Sequence, residues 1–231
     1  CGGLETVAHN VRENFQQVRE SIGQTVSAPV FDRLERQAES DLRAFGPLIA
    51  DRARRDVPRE GHGDLHLAHV YWLPEAAAPA DLVVVDCIEF NERFRYADPV
   101  ADVAFMDMDL RHKGRPDLAD AFGDAWFRAS GDEAGRALTP FYCAYRAVVR
   151  GKVDGFAARG AEIPAPERDR LRVRARGYFL LALGAVAAPP ERPALVIVSG
   201  LPGTGKSMIA RCLAESGWSR LSTDEVRKGL A

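Results

Sequence analysis

Gly200-Leu201-Pro202-Gly203-Thr204-Gly205-Lys206-Ser207 constrains the fold more than any other stretch of the chain. It matches G-x-x-x-x-G-K-[ST], the Walker A or P-loop pattern. The apolar run Leu195–Val198 precedes it and the amphipathic stretch Ser207–Ser216 follows. Such a run reads as a strand buried on both faces of a parallel sheet, so the segment predicts strand, tight turn, helix. Glycines let the backbone curl until successive N–H groups point at phosphate oxygens, and the helix N-terminus adds partial positive charge. Gly200, Gly203, Thr204, Gly205, Lys206 and Ser207 are therefore candidate nucleotide-binding residues. Lys206 reaches the β- and γ-phosphates and Ser207 ligates Mg2+, so ATP and Mg2+ are the expected cofactors.

Upstream, Pro189-Pro190-Glu191-Arg192-Pro193 is the best linker, because proline stiffens the chain and removes donors. It divides residues 1–187 from 194–231, with 188–193 between. Helical periodicity dominates the first part. Leu4, Val7, Val11, Phe15, Val18 and Ile22 share one helix face; Phe31, Leu34, Ala38, Leu42 and Phe45 line a second helix, started near Pro29 and interrupted at Gly46-Pro47. A basic segment, Arg52 to Arg59, comes next, and Leu82–Val85 reads as a buried strand ending at Asp86. Periodicity returns from Pro99 to Tyr178, and Pro164 and Pro166 open a last helix that fades near Ala188. The expected class is mainly α with α/β elements.

The 231 residues are 46% hydrophobic and 28% charged, an ordinary globular balance that rules out disorder. With 31 Lys+Arg against 33 Asp+Glu the net charge is −2, which argues against a nucleic-acid partner held by bulk charge. Only four of those cations are lysines (Lys113, Lys152, Lys206, Lys228). No apolar run approaches a membrane span and no signal peptide opens the chain. Cys1, Cys87, Cys143 and Cys212 form no Cys-x-x-Cys pair, so a reduced, cytoplasmic protein is expected. The chain opens on Cys1, already in helical periodicity, and stops shortly after a motif that ordinarily opens a domain; a piece of a longer protein is expected.

Three of the five histidines crowd into His62-Gly63-Asp64-Leu65-His66-Leu67-Ala68-His69. Metal binding is the first thought, but no Cys pair or His-Glu-x-x-His core accompanies them. The string follows H-x-D-x-x-x-x-N with His69 at the Asn position. It resembles the H-G-D-[LI]-H-x-x-N catalytic loop of aminoglycoside phosphotransferases and choline kinases. That resemblance makes Asp64 the catalytic base and His69 a metal ligand, although Mg2+ prefers oxygen. Asp86, twenty-two residues after Asp64, stands where the family places its metal-binding Asp. Asp98-Pro99-Val100-Ala101-Asp102-Val103-Ala104 is similar to the family's D-P-x-x-D-[LV]-A segment, whose second Asp buttresses the loop, so His62 and Asp102 are its expected structural support.

The resemblance implies the C-terminal lobe of a protein-kinase-like fold over residues 1–187. The family's N-terminal lobe, with its Gly-rich loop and strand lysine, finds no match upstream of His62, where the cations include Arg52, Arg54, Arg55 and Arg59. Mainly helical structure with short strands around the loop is expected, beside a cleft exposing apolar surface. Asp64, His69, Asp86 and Asp102 are expected to converge, with at least one carboxyl pKa raised by repulsion. Together with residues 88–96 and the Pro-rich junction, this pairing resembles bacterial two-domain proteins that join an aminoglycoside phosphotransferase-like lobe to a P-loop ATP-binding (AAA-family) unit. Ser222-Thr223-Asp224-Glu225-Val226-Arg227-Lys228 is similar to the S/T-x-D-x-x-R-K segment of P-loop small-molecule and polynucleotide kinases. There Asp224 would orient or deprotonate the acceptor hydroxyl and Arg227 would bind substrate, or Thr223 or Asp224 would cap a helix.

The expected function is an ATP-dependent kinase (a transferase) acting on a small-molecule hydroxyl. Two alternatives stay open: an enzyme with only the P-loop active, and a nucleotide-binding pseudokinase scaffold or regulatory module. A hydrolysing motor ATPase is the weaker reading, because no Walker B strand or arginine finger is legible.

Overall fold

The computed structural model describes residues 2–187 and 195–229, except the side chains of Asp224, Glu225 and Gly229. The expected linker 188–193 lies outside the described residues. The chain divides into two units, Cys1–Arg192 and Pro193–Ala231.

The first unit is helical. α1 (Leu4–Val18) and α2 (Ala28–Arg54) precede a region of short strands: β1 (Arg59–Glu60), β2 (Val70–Trp72), β3 (Leu82–Val84), the single-turn α3 (Glu92–Arg95) and β4 (Tyr96–Ala97). Then come α4 (Val100–His112), α5 (Pro116–Ser130), α6 (Thr139–Ala157) and α7 (Ala165–Val186). β1 pairs antiparallel with β4, and β2 with β3 in the register Val70↔Val84.

α4 is the centre of the core. Every residue from Val103 to Leu110 is buried, and α4 packs against α5 and α6, with α6 packed on α7. A helix surrounded on all sides needs no polar face. Its three interior aspartates, Asp102, Asp107 and Asp109, are therefore informative: burying a carboxylate is costly unless it is paired or hydrogen-bonded.

One expectation about α2 is corrected. Gly46-Pro47 does not interrupt it; Pro47 lies inside the helix. Proline forfeits one backbone hydrogen bond there, while Gly46 is buried and brings the helix against the Leu4 side chain. Near the end of α2, Arg52 is a buried, paired cation. Its side chain is 2% exposed and grips two carboxylates: Nε donates to Asp98 Oδ2 at 2.6 Å, and Nη1 and Nη2 donate to Asp132 Oδ1 and Oδ2 at 2.6 Å each. This network ties the end of α2 to the start of α4, since Asp98 Oδ1 also accepts from the Val100 amide at 3.0 Å.

Leu82–Val84 is a strand, but an exposed one, as is β2. Trp72 is 68% exposed and Phe90 85%. A two-stranded ribbon covers neither of its own faces, so an apolar strand sequence does not imply burial.

In the second unit α8 (Lys206–Glu215) follows the glycine loop and α9 (Thr223–Gly229) closes the described chain. α9 begins at Thr223, two residues before the Glu225 start expected with Thr223 or Asp224 as its cap. The expected strand Leu195–Val198 is absent: the segment is irregular and Leu195 is 84% exposed. A parallel strand needs neighbours to complete its hydrogen-bond ladder, and no sheet forms among the described residues of this unit.

Candidate active site

Residues 62–69 run from β1 to β2 and are held by α4 from beneath. Asp102 accepts the His62 amide at Oδ2 (2.8 Å) and the Gly63 amide at Oδ1 (3.0 Å). Seven residues on, two turns along the same face, Asp109 Oδ2 accepts the Leu67 amide at 2.9 Å. One helix face thus clamps both ends of the loop with charge-assisted bonds. The Asp102 role matches expectation. The Asp109 role was missed, although a second Asp seven positions after the first was a readable signal. Gly61 was missed as well: a Cβ there would lie 2.6 Å from Asp102 Oδ2. Gly63 has φ +78° and faces the Phe94 carbonyl and Ile88, so only glycine suits that turn.

His62 works as a strut. Its Nε2 lies 2.8 Å from the Val85 carbonyl and its Nδ1 accepts the Asp64 amide at 3.3 Å, an arrangement that places the ring proton on Nε2. Its carbonyl accepts the Ile88 amide at 2.9 Å. The antiparallel β2–β3 pair, extended by a Val85 N–H to His69 carbonyl bond of 3.0 Å, returns Asp86 to the side of His69. Asp86 has φ +63°, a left-handed conformation uncommon for a residue with a side chain, and its side chain is 77% exposed.

His69 stands between the carboxylates. Nδ1 lies 2.9 Å from the Asp64 carbonyl oxygen and Nε2 3.3 Å from Asp86 Oδ2. With a proton on Nδ1 for that carbonyl, the Nε2 lone pair faces Asp86 Oδ2, so the two atoms can serve together as ligands to a cation. His66 is buried, caps the following turn by accepting the Ala68 amide at Nδ1, and presents Nε2 to Asp64 Oδ2 at 3.5 Å. The His66 and His69 rings lie 4.1 Å apart. Asp64, His66 and His69 offer ligand atoms within 4.8 Å of one another.

Asp64 and Asp86 line one cleft of about 790 Å³ with Gly63, Phe90, Phe94 and Lys152, a volume in the range of small-molecule sites. The expected convergence of Asp64, His69, Asp86 and Asp102 therefore holds. The expected rise of a carboxyl pKa does not hold at Asp64. Burial pushes its carboxyl up, but the His66 hydrogen bond and the His66, Arg150 and His69 charges outweigh it and hold Asp64 below the usual carboxylate value. The imidazoles beside Asp64 offset the repulsion between the carboxylates.

The second unit builds its loop separately. Gly200, Gly203 and Gly205 have φ of +150°, +82° and +86°, as a curled phosphate loop requires. Lys206 Nζ donates to the Leu201 carbonyl at 2.5 Å and Thr204 Oγ1 to the same oxygen at 2.8 Å. Ser207 is the second residue of α8. Arg227 lies on α9, exposed; the side chain of Asp224 lies outside the described residues.

The chain is similar to uncharacterized proteins of Mycobacterium tuberculosis and Mycobacterium bovis, 34% identical to each over 230 residues. The match covers 99% of this chain but 44% of each relative, so the chain spans less than half the length of the curated relatives it matches. No family model matches, and no solved structure matches. Among the described residues no helix is long and apolar enough to cross a membrane.

Proposed function

We infer that this chain belongs to an ATP-dependent phosphotransferase acting on a small-molecule hydroxyl, with Asp64 as the catalytic-loop base and the Gly200–Ser207 loop as a site for ATP and Mg2+. One observation carries the reading: Asp102 holds the His62 and Gly63 amides while Asp64 and Asp86 face a single cleft. That is the division of labour the kinase-like resemblance requires. Asp64, held ionised by its neighbours, is an acceptor for the proton of a substrate hydroxyl; positioning matters more than basicity in a loose phosphoryl-transfer transition state.

The residues present fit a divalent ion. Asp86 and His69 Nε2 would hold it in the first unit, with Mg2+ favouring the carboxylate and a softer ion such as Mn2+ tolerating the imidazole better. The Ser207 hydroxyl is the corresponding ligand in the second unit. Such an ion supplies charge neutralisation at the phosphates. Three positive-φ glycines opening directly onto α8 support ATP at Lys206.

The pseudokinase reading draws on His69 occupying the Asn position, yet His69 faces both Asp64 and Asp86 and leaves neither unattended. The test is transfer from radiolabelled ATP by the full-length protein. Asp64→Asn is expected to abolish transfer while leaving ATP binding intact. Undiminished transfer by Asp64→Asn overturns the assignment of the base, and ATP binding that survives Lys206→Ala unchanged moves the nucleotide elsewhere.

A further inference from the structure

Lys152 is one of four lysines, and it faces the cleft from α6, on the helical side, whereas the carboxylates Asp64, Asp86 and Glu89 come from the loop side. Its ammonium is half-buried and rests on two neutral oxygens: Asn14 Oδ1, and Gln17 Oε1 at 2.8 Å. Among the described residues no carboxylate forms an ion pair with it. Glu13, the acid nearest in charge, is taken by Arg93 at 2.8 Å. The other cation of the cleft, Arg146, faces Asp102 and stacks on Phe105. A buried charge is ordinarily paired; here one lysine is held in place by amides and its charge is left for something else. Burial lowers its pKa, with Glu13 and Arg93 acting in opposite directions beyond that, which is the expected state of an ammonium lacking its counter-ion.

The geometry points to Lys152 as the anchor for an anionic group on the phosphoryl acceptor, so that the substrate is a hydroxylated acid: a carboxylate or phosphate ester whose hydroxyl reaches Asp64 while its negative end reaches Lys152. Val149 and Val153, three residues before it and one after it on α6, and Phe90 supply apolar wall between the two polar ends. This rests on the phosphotransferase reading above and adds the class of acceptor. An uncharged or cationic acceptor would leave Lys152 uncompensated and gain nothing from it.

The test is isothermal titration of the chain carrying Lys206→Ala, which removes the phosphate loop's lysine as a competing anion site, with D-glycerate, glycerol 3-phosphate and glycerol. Both anions are expected to bind at least about tenfold more tightly than glycerol. The gap should close in Lys152→Met and persist in Lys152→Arg. Should Lys152→Met fail to fold, Val153→Glu, on an exposed position of the same cleft, is expected to weaken both anions and spare glycerol. Tighter glycerate assigns a carboxylate and tighter glycerol 3-phosphate a phosphate; either supports the site. Equal or absent binding of the three probes, or a gap that survives Lys152→Met (Val153→Glu where that variant does not fold), overturns it. Transfer from ATP by the full-length protein separates this from the underlying reading. Asp64-dependent transfer to glycerol that ignores Lys152→Met sinks the acceptor class alone. Lys152-dependent anion binding without Asp64-dependent transfer retires the phosphotransferase and leaves the anion site.

Discussion

The histidine-rich loop at residues 62–69 and the glycine loop at 200–207 both present a few polar side chains, yet they are held in different ways. The glycine loop carries its conformation locally: three positive-φ glycines, two bonds to one carbonyl and the first turn of α8. The histidine-rich loop has one positive-φ glycine and depends on distant residues, Asp102 and Asp109 on α4 and the Val85 carbonyl beyond β3. A loop built from local rules keeps its shape without a sheet beside it, whereas a loop built from long-range bonds is only as firm as the core beneath it.

That contrast can be broken experimentally. The largest effect is expected from Arg52→Ala, which leaves Asp98 buried without its partner and frees Asp132. Removing one member of a buried ion network costs about 3–5 kcal/mol, read as a fall in the urea midpoint of the first unit; a midpoint that stays put would mean the network does not brace α4. Asp102→Ala should cost about 1–3 kcal/mol for the loop amides it strands and raise hydrogen exchange at His62 and Gly63 while leaving the amides of α4 protected. Gly61→Ala should cost a similar 1–3 kcal/mol through its clash with Asp102, and indifference to either change would show that the loop stands without its clamp.

Lys206→Ala tests the other side of the comparison. Losing a charge-assisted phosphate contact costs about 1.5–3 kcal/mol, a ten- to hundredfold weaker Mg·ATP affinity, with no change in the first unit's melting. Coupled loss of both would mean that the two loops are not independently built. The smallest effect concerns acid. Because the folded pKa of Asp64 lies below its unfolded value, its contribution to stability is complete above the ordinary carboxylate range near pH 4 and disappears as pH falls through the folded value. Asp64→Asn should therefore flatten the acid limb of the stability profile and leave the neutral region level; an unchanged acid limb would remove the His66 and Arg150 contacts as the cause.

The sequence by itself determined what depends on neighbours along the chain. The amphipathic stripes of α1 and α2, the glycine turn into α8, the prolines that open α2 and α7 and the loop motif around Asp64 were all legible, because helix periodicity and positive-φ glycines are local physics. The Asp102 role was legible through its motif. Only the tertiary structure decided the rest. Pro47 stays inside α2, Arg52 bridges Asp98 and Asp132, Asp109 holds Leu67, and two imidazoles lower the pKa of Asp64. Leu195–Val198 and Leu82–Val84 have the composition of buried strands and neither is buried. A strand's burial belongs to the sheet and the layer that cover it, and those partners lie far away in sequence or in no described residue. Composition reports what a segment prefers; the partners present decide whether the preference is met.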